Sequence, residues 1–323
     1  MMESVNGVVQ PRRTLGSCGI EVPALGMGCW AIGGPDTNLG LPMGWGPVDD
    51  GRSLAALERA HDLGARLFDT ADVYGHGHSE RLLGQLVEQV SRKELVLSSK
   101  VGYFRGTAPH GYHPVHMRHQ LEQTLDNLRT GYLDLYFFHH AEFGQNDEWL
   151  DAAIETMRQL RVDGLVRAIG MRGPHRFALE RLDGSRARAD KVARFRALFA
   201  RIQPDVLAVR DNLLTPQDRQ EGIFAFAARH RCGVLINKPL AQGLLTGSHN
   251  PAASRVFGEG DHRTRKRWFT PAALAILTEG LDELRRHVGG GTQELVRIAL
   301  WSCLDRYVHA AVLVGFTTRS RSR

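Results

Sequence analysis

The chain has 323 residues, 42% hydrophobic and 24% charged, with a formal net charge of +6, a balance typical of a globular protein with a sizeable core. Only Lys93, Lys100, Lys191, Lys238 and Lys266 among its 41 basic residues are lysines. The many arginines are scattered and carry no aromatic recognition motif, which excludes a nucleic-acid partner, and no apolar run approaches the roughly 20 residues of a membrane span.

The opening MMESVNGVVQPRR lacks the apolar stretch of a signal peptide. Arg13–Pro23 reads as a small hairpin that plugs the bottom of whatever follows. Cys18, Cys29, Cys232 and Cys303 are too few and too dispersed for a disulfide framework. A reduced, cytoplasmic protein is expected. From there short apolar runs alternate with amphipathic windows. Strands are expected at Ala24–Gly28, Arg66–Asp69, Leu95–Lys100, Leu133–His139, Leu165–Gly170, Val206–Arg210, Val234–Asn237 and Ala311–Gly315. Helices are expected at Arg52–Leu63, Glu80–Val90, Met117–Leu128, Trp149–Arg161, Lys191–Ala200, Pro216–His230, Pro271–His287 and Thr292–Asp305. Leu54, Leu57 and Ala60, or Leu121, Leu125 and Leu128, show the helical spacing. Runs such as LYFF are short and continuous, as in parallel strands buried on both faces.

Eight such alternations without a break in composition predict one domain over residues 1–323, an α/β protein of the (β/α)8 TIM-barrel class with an N-terminal β-hairpin. A doubly wound open sheet is the alternative, but no strand runs into a GxGxxG turn. Three long loops, Ile32–Asp49, His140–Glu148 and Ser248–Phe269, leave the C-terminal ends of strands, where barrel active sites are built. His110, His113, His116 and His119 recur every three residues, yet Pro114 breaks any single helix through them and no metal site is expected. His76 and His78 belong to a solvated loop near the mouth.

Asp69, Lys100 and His139 close three consecutive predicted strands, and Tyr74 follows in the loop LFDTADVYGHGHSE. Neighbouring strands lie about 4.8 Å apart, so the four side chains converge. A tyrosine with a pKa of about 10 is a poor acid; a lysine cation lowers it and an aspartate fixes the lysine. A histidine alongside orients a carbonyl oxygen. Such a set protonates an oxygen.

With these motifs the sequence resembles the aldo-keto reductase family, through LFDTADVYGHGHSERLLG, ELVLSSKVG, YLDLYFFHH, INKPLAQGLLTG and RTLGSCGIEVPALGMGCW. The resemblance implies NADPH-dependent reduction of an aldehyde or ketone, sugar-like or from secondary metabolism, with Asp69, Tyr74, Lys100 and His139 as the catalytic tetrad and Tyr74 as proton donor. It implies Trp30 and His140 as substrate contacts. For NADP(H) it implies a pyrophosphate loop containing Pro239, Leu240, Gln242, Gly243 and Leu245. Gly28, Met171, Arg172, Arg210, Gly315, Thr317 and Arg319 complete the implied cofactor site. The basic run His262–Arg267 resembles a segment that closes over the cofactor.

Three departures stand out. Met171 and Arg172 occupy the place of a serine-asparagine pair that holds the nicotinamide amide. Ala208 replaces a glutamine, and Asp211 replaces a tyrosine that stacks on the nicotinamide. Only TTRSRSR follows the last strand, so the last barrel helix is missing from the text and the exposed strand surface leads to an expectation of a homo-oligomer. These departures keep open an alternative: a non-redox acid/base enzyme, a dehydratase or epimerase, on a barrel with an eroded nicotinamide site.

Overall fold

In the computed structural model, residues 4–5, 8–9, 11–38, 40–174, 186–253 and 255–316 are described, the side chains of 4–5, 8–9, 186–190 and 217–221 excepted. Eight parallel strands close on themselves: β1 (Leu25–Gly28), β2 (Leu67–Asp69), β3 (Val96–Val101), β4 (Leu133–Phe138), β5 (Val166–Arg172), β6 (Val206–Arg210), β7 (Gly233–Asn237) and β8 (Ala310–Gly315). The closing seam pairs β8 with β1 from Val312–Leu25 to Gly315–Gly28. That pairing excludes the open-sheet alternative.

Around the barrel run α1 (Asp50–Asp62), α2 (His78–Gln89), α3 (Pro114–Leu128), α4 (Leu150–Val162), α5 (Arg186–Ile202), α6 (Gln217–Arg229), α7 (Pro271–Val288) and α8 (Thr292–Leu304). Several starts follow from local chemistry. Asp49 caps α1 by accepting from the Arg52 N–H at 2.8 Å, and Pro114 and Pro271 sit in the first turns of α3 and α7, where a missing N–H costs nothing. Each predicted strand and helix is present, with ends shifted by a few residues at most. The largest shift is in α5, which begins at Arg186.

Alternation along the strands divides the core in two. Outward residues such as Phe68, Leu97, Tyr136, Phe138, Met171 and Ile236 pack under the helices. Inward residues such as Leu67, Leu135, Phe137, Ala168 and Leu235 fill the barrel, as period-two geometry requires. The hairpin Arg12–Thr14/Glu21–Pro23 joins this inner layer through Leu15, Ile20 and Val22. It closes the barrel bottom: Gly16 bridges Cys232 just before β7. The Arg13 guanidinium donates to the carbonyls of Leu304, Tyr307 and Ala310, fastening the plug to the end of α8. A third apolar cluster, with Leu244, Leu245, Leu274 and Leu295, seats the loop after β7 on α7 and α8.

Candidate active site

A cavity of about 490 Å³ opens at the C-terminal mouth of the barrel. Asp69 ends β2, Lys100 is the penultimate residue of β3, and His139 follows β4. All three side chains, with Tyr74, line the cavity. The Lys100 ammonium donates to Asp69 Oδ2 at 2.8 Å and to the Thr70 carbonyl. The second Asp69 oxygen accepts from the Ser98 hydroxyl at 2.8 Å, so the carboxylate is held on both sides. Burial acts against the Lys100 charge, but Asp69 and Tyr74 outweigh it and its pKa is raised. Lys100 is therefore a fixed cation.

The Tyr74 ring lies 5.0 Å from Lys100 Nζ and edge-on to the His139 ring at 6.0 Å. Burial raises the Tyr74 pKa, and Lys100 opposes the rise without cancelling it. This corrects the expectation of a lowered value: desolvation in the closed mouth exceeds the lysine's pull. Tyr74 is a protonated phenol beside a cation that stabilises its conjugate base. The loop carrying it is firmly built. The Tyr74 N–H donates to the Ala71 carbonyl and its own carbonyl accepts from Ser79. Ser79 Oγ donates to the Cys29 carbonyl at 2.8 Å. A Cβ on Gly33 would stand 2.8 Å from the Tyr74 backbone, so glycine is needed for this close approach.

Of the other predicted residues, Gly28, Trp30, Arg172, Pro239, Leu240, Gln242, Gly243 and Gly315 line the cavity. Others do not. Met171 is buried under the helices, because side chains alternate along β5 and only Arg172 turns inward. Leu245 packs into the α7–α8 cluster. Arg210 is absent from the lining but lies near Lys238 and acts on its charge. His140 faces away: its ring donates from Nε2 to the Gly102 carbonyl at 2.9 Å and accepts at Nδ1 from the Glu142 N–H. Burial lowers its pKa, which keeps this neutral form. Asp211 is fully buried and ion-paired with Arg306 at 3.0 Å, so it cannot stack on a ligand, whereas Ala208 does line the cavity. Thr317 and Arg319 lie outside the described residues.

The structure also brings in residues that sequence reasoning missed. Tyr103 packs edge-on to His139 at 4.6 Å and its hydroxyl accepts from Arg172. Asn237 and Lys238 line the cavity beside Pro239; the dipeptide NK directly before the recognised loop was the available signal. Lys238 Nζ sits 4.9 Å over the Trp30 ring. A strap crosses the mouth. Gly44 pairs with Asp261, the Asp36 and Gly44 N–H groups both donate to the Gly260 carbonyl, and the His262 N–H donates to the Gly44 carbonyl. The His262 ring also bonds the Gly44 carbonyl at 2.8 Å, meets the Gln242 side chain, and stacks 4.1 Å from Trp30. Burial, then Lys238, drives the His262 pKa to about 2, so this ring is neutral. Arg263 is clamped by Asp261 at 2.6 Å and lies over Trp45 and Phe257.

A family model described as "Aldo/keto reductase family" matches residues 24–322. Aldo-keto reductase YhdN of Bacillus subtilis is 29% identical over 72% of this chain, a match that spans 63% of that relative's own length, less than two thirds. The solved structure of a glycerol dehydrogenase from Gluconobacter oxydans matches with a TM-score of 0.70 at 23% identity, over 94% of this chain and 86% of that one. An aldo/keto reductase from Klebsiella pneumoniae, in complex with NADP and acetate, matches with a TM-score of 0.61 at 20% identity, over 95% and 86% of the two chains. At those identities the two structures show a common fold.

Proposed function

The chain belongs to the aldo/keto reductase family, and from that premise we propose that it reduces the carbonyl of an aldehyde or ketone with NADPH, Tyr74 giving the proton. The observation that carries this reading is Tyr74 set beside the Lys100–Asp69 ion pair and the His139 ring in a cavity at the barrel mouth.

The residues fit a dinucleotide. Gly28 and Gly315 face each other across the β1–β8 seam, with a Cβ on Gly28 meeting the Gly315 backbone only at 3.7 Å, so this part of the floor is backbone. Gln242 and Gly243 adopt φ of 64° and 94° in a tight turn at the cavity wall, where backbone dipoles suit phosphate. Arg255 adds positive charge to the lining, in keeping with the phosphates of NADPH. When bound, the nicotinamide supplies the hydride. The chain's part is electrostatic and steric. Tyr74 and His139 meet the carbonyl oxygen, and Tyr74 transfers its proton as negative charge builds there. Lys100, fixed by Asp69, offsets the phenolate left behind. Trp30, Trp45 and the strap through His262 keep water from the reacting carbon.

Titration with NADPH, followed by the shift of nicotinamide fluorescence, tests the reading together with NADPH consumption on a generic aldehyde. Saturable binding with turnover supports it. Absence of binding at high micromolar cofactor would rule it out and favour acid/base chemistry without redox change.

A further inference from the structure

The charge lining the cavity is unbalanced. Asp69 is the one carboxylate among the described lining residues, and Lys100 already neutralises it. Arg263 is matched by Asp261. Three lining cations remain, Arg172, Lys238 and Arg255; the first two have no acid opposite them among the described residues. Arg172 donates from Nη1 to the His139 carbonyl and the Tyr103 hydroxyl, both at 3.3 Å and both neutral. The Lys238 ammonium rests over the Trp30 ring, which compensates a desolvated cation only in part. Lys238 is also held in a left-handed backbone conformation, φ 61°, at the turn out of β7, and its side chain lines the cavity.

The Lys238 main chain belongs to the turn proposed for the cofactor phosphates, its carbonyl accepting from the Ala241 N–H, but the side-chain contacts of both cations lie toward the proton donor. Arg172 is bonded to the main chain of His139. Lys238 touches Trp30, whose ring stacks 5.8 Å from that of Tyr74. Both therefore border the space where the carbonyl meets its proton donor. Burial, and then the positive charges of Arg210, Arg172 and Lys266, lower the Lys238 pKa well below its ordinary value. An anion arriving there relieves that repulsion and favours the charged form.

We propose that the substrate is an oxo acid, a carbonyl compound bearing a carboxylate, and that Lys238 with Arg172 binds that carboxylate while Tyr74 and His139 address the carbonyl. This deepens the reductase reading and rests on it.

The test compares kcat/KM for para-carboxybenzaldehyde and its neutral isostere para-formylbenzamide with NADPH, in the wild-type protein, Lys238→Met and Lys238→Arg, with the NADPH Kd measured for each. A charge-assisted contact predicts a wild-type preference for the acid of about tenfold or more. Lys238→Met brings the ratio close to one, mainly through KM, and Lys238→Arg retains most of it. Equal wild-type rates, or a ratio that survives Lys238→Met, overturn the proposal. So does a Lys238→Met variant whose loss lies in NADPH affinity with the ratio intact, since the cation then serves the cofactor phosphates. If neither aldehyde consumes NADPH, the reductase reading fails by itself. Quenching of tryptophan fluorescence by terephthalate against terephthalamide then decides the anion site: tighter terephthalate binding that Lys238→Met abolishes supports it, and equal affinity overturns it.

Discussion

Tyr74 is the residue on which the proposed chemistry depends, and its environment sets the expected pH behaviour. With the phenol pKa raised by burial, the protonated form persists through neutrality and beyond the ordinary value of about 10. The reductive kcat should stay level from pH 7 into the mildly alkaline range, and a loss of activity centred near neutrality would point to another donor. Tyr74→Phe removes only the hydroxyl, so kcat should fall by a factor of about 10² to 10⁴ with NADPH titration unchanged. Asp72, two residues before Tyr74, offers a stability prediction. One of its oxygens accepts from the Val73 N–H at 2.7 Å, and the other is buried without a partner. Burial and then Glu80 raise its pKa well above the ordinary carboxylate range. The folded state thus binds the Asp72 proton more tightly than the unfolded chain, so stability declines as pH rises through the raised pKa. Urea midpoints of Asp72→Asn should fall less between about pH 4 and 7 than those of wild type, and at pH 7 the variant should be the more stable. A steeper decline would refute this. At this scale the sequence exposed residue type better than direction. Asp69, Tyr74, Lys100 and His139 were legible because strand ends converge in a barrel whatever the details. Met171 and Arg172 were not separable, because a shift of one residue along a strand turns a side chain from the cavity to the helices.

The loops after β1 and β7 act together as one strap. Their ties, Gly44 with Asp261 and His262, and Asp36 with Gly260, join segments over two hundred residues apart in the chain. Nothing in either stretch alone indicates the other, and the expectation that the basic run His262–Arg267 closes over a cofactor rests on resemblance alone. Gly44 is the point where the two meet. A Cβ there would lie 2.2 Å from the Asp36 nitrogen and 2.4 Å from the Gly34 oxygen, both backbone atoms with little freedom to yield. Gly44→Ala should therefore lift the strap while leaving the barrel folded. Hydrogen exchange should accelerate at the amides of Asp36, Gly44 and His262, and strands β3 and β4 should keep wild-type protection. Unchanged exchange across the strap would show that the clash is absorbed elsewhere. Rivets of a different kind hold α8. The Asp211–Arg306 ion pair, with Asp211 fully buried just past β6, occupies the position where the resemblance places a stacking tyrosine, and it ties that strand end to the segment after α8.

Across the whole molecule the two ends of the barrel have different physical tasks. The chain's continuous apolar strand runs made the eight-fold alternation legible, and the RTLGSCGIEVP stretch made the plug legible. Closure was less so, because it depends on β8 meeting β1 across nearly the full chain length. At the bottom, Leu15 is completely buried against the inner layer, and a Cβ on Gly233, the first residue of β7, would strike its backbone and side chain at 2.8 Å. The cavity-lining Asn237 lies at the other end of the same strand, about 13 Å away at the usual rise per residue. Removing the Leu15 side chain leaves a void in a layer that cannot readily collapse, since it is framed by eight paired strands. Leu15→Ala should cost about 2–5 kcal/mol, read as a lower urea midpoint at constant m-value. Below the transition, kcat and KM should match wild type, because the mouth is built from strand ends and loops that the plug does not touch. A Leu15→Ala variant of normal stability would mean that the hairpin only covers the barrel. A variant with wild-type stability but altered KM would mean that the barrel interior transmits strain from one end to the other.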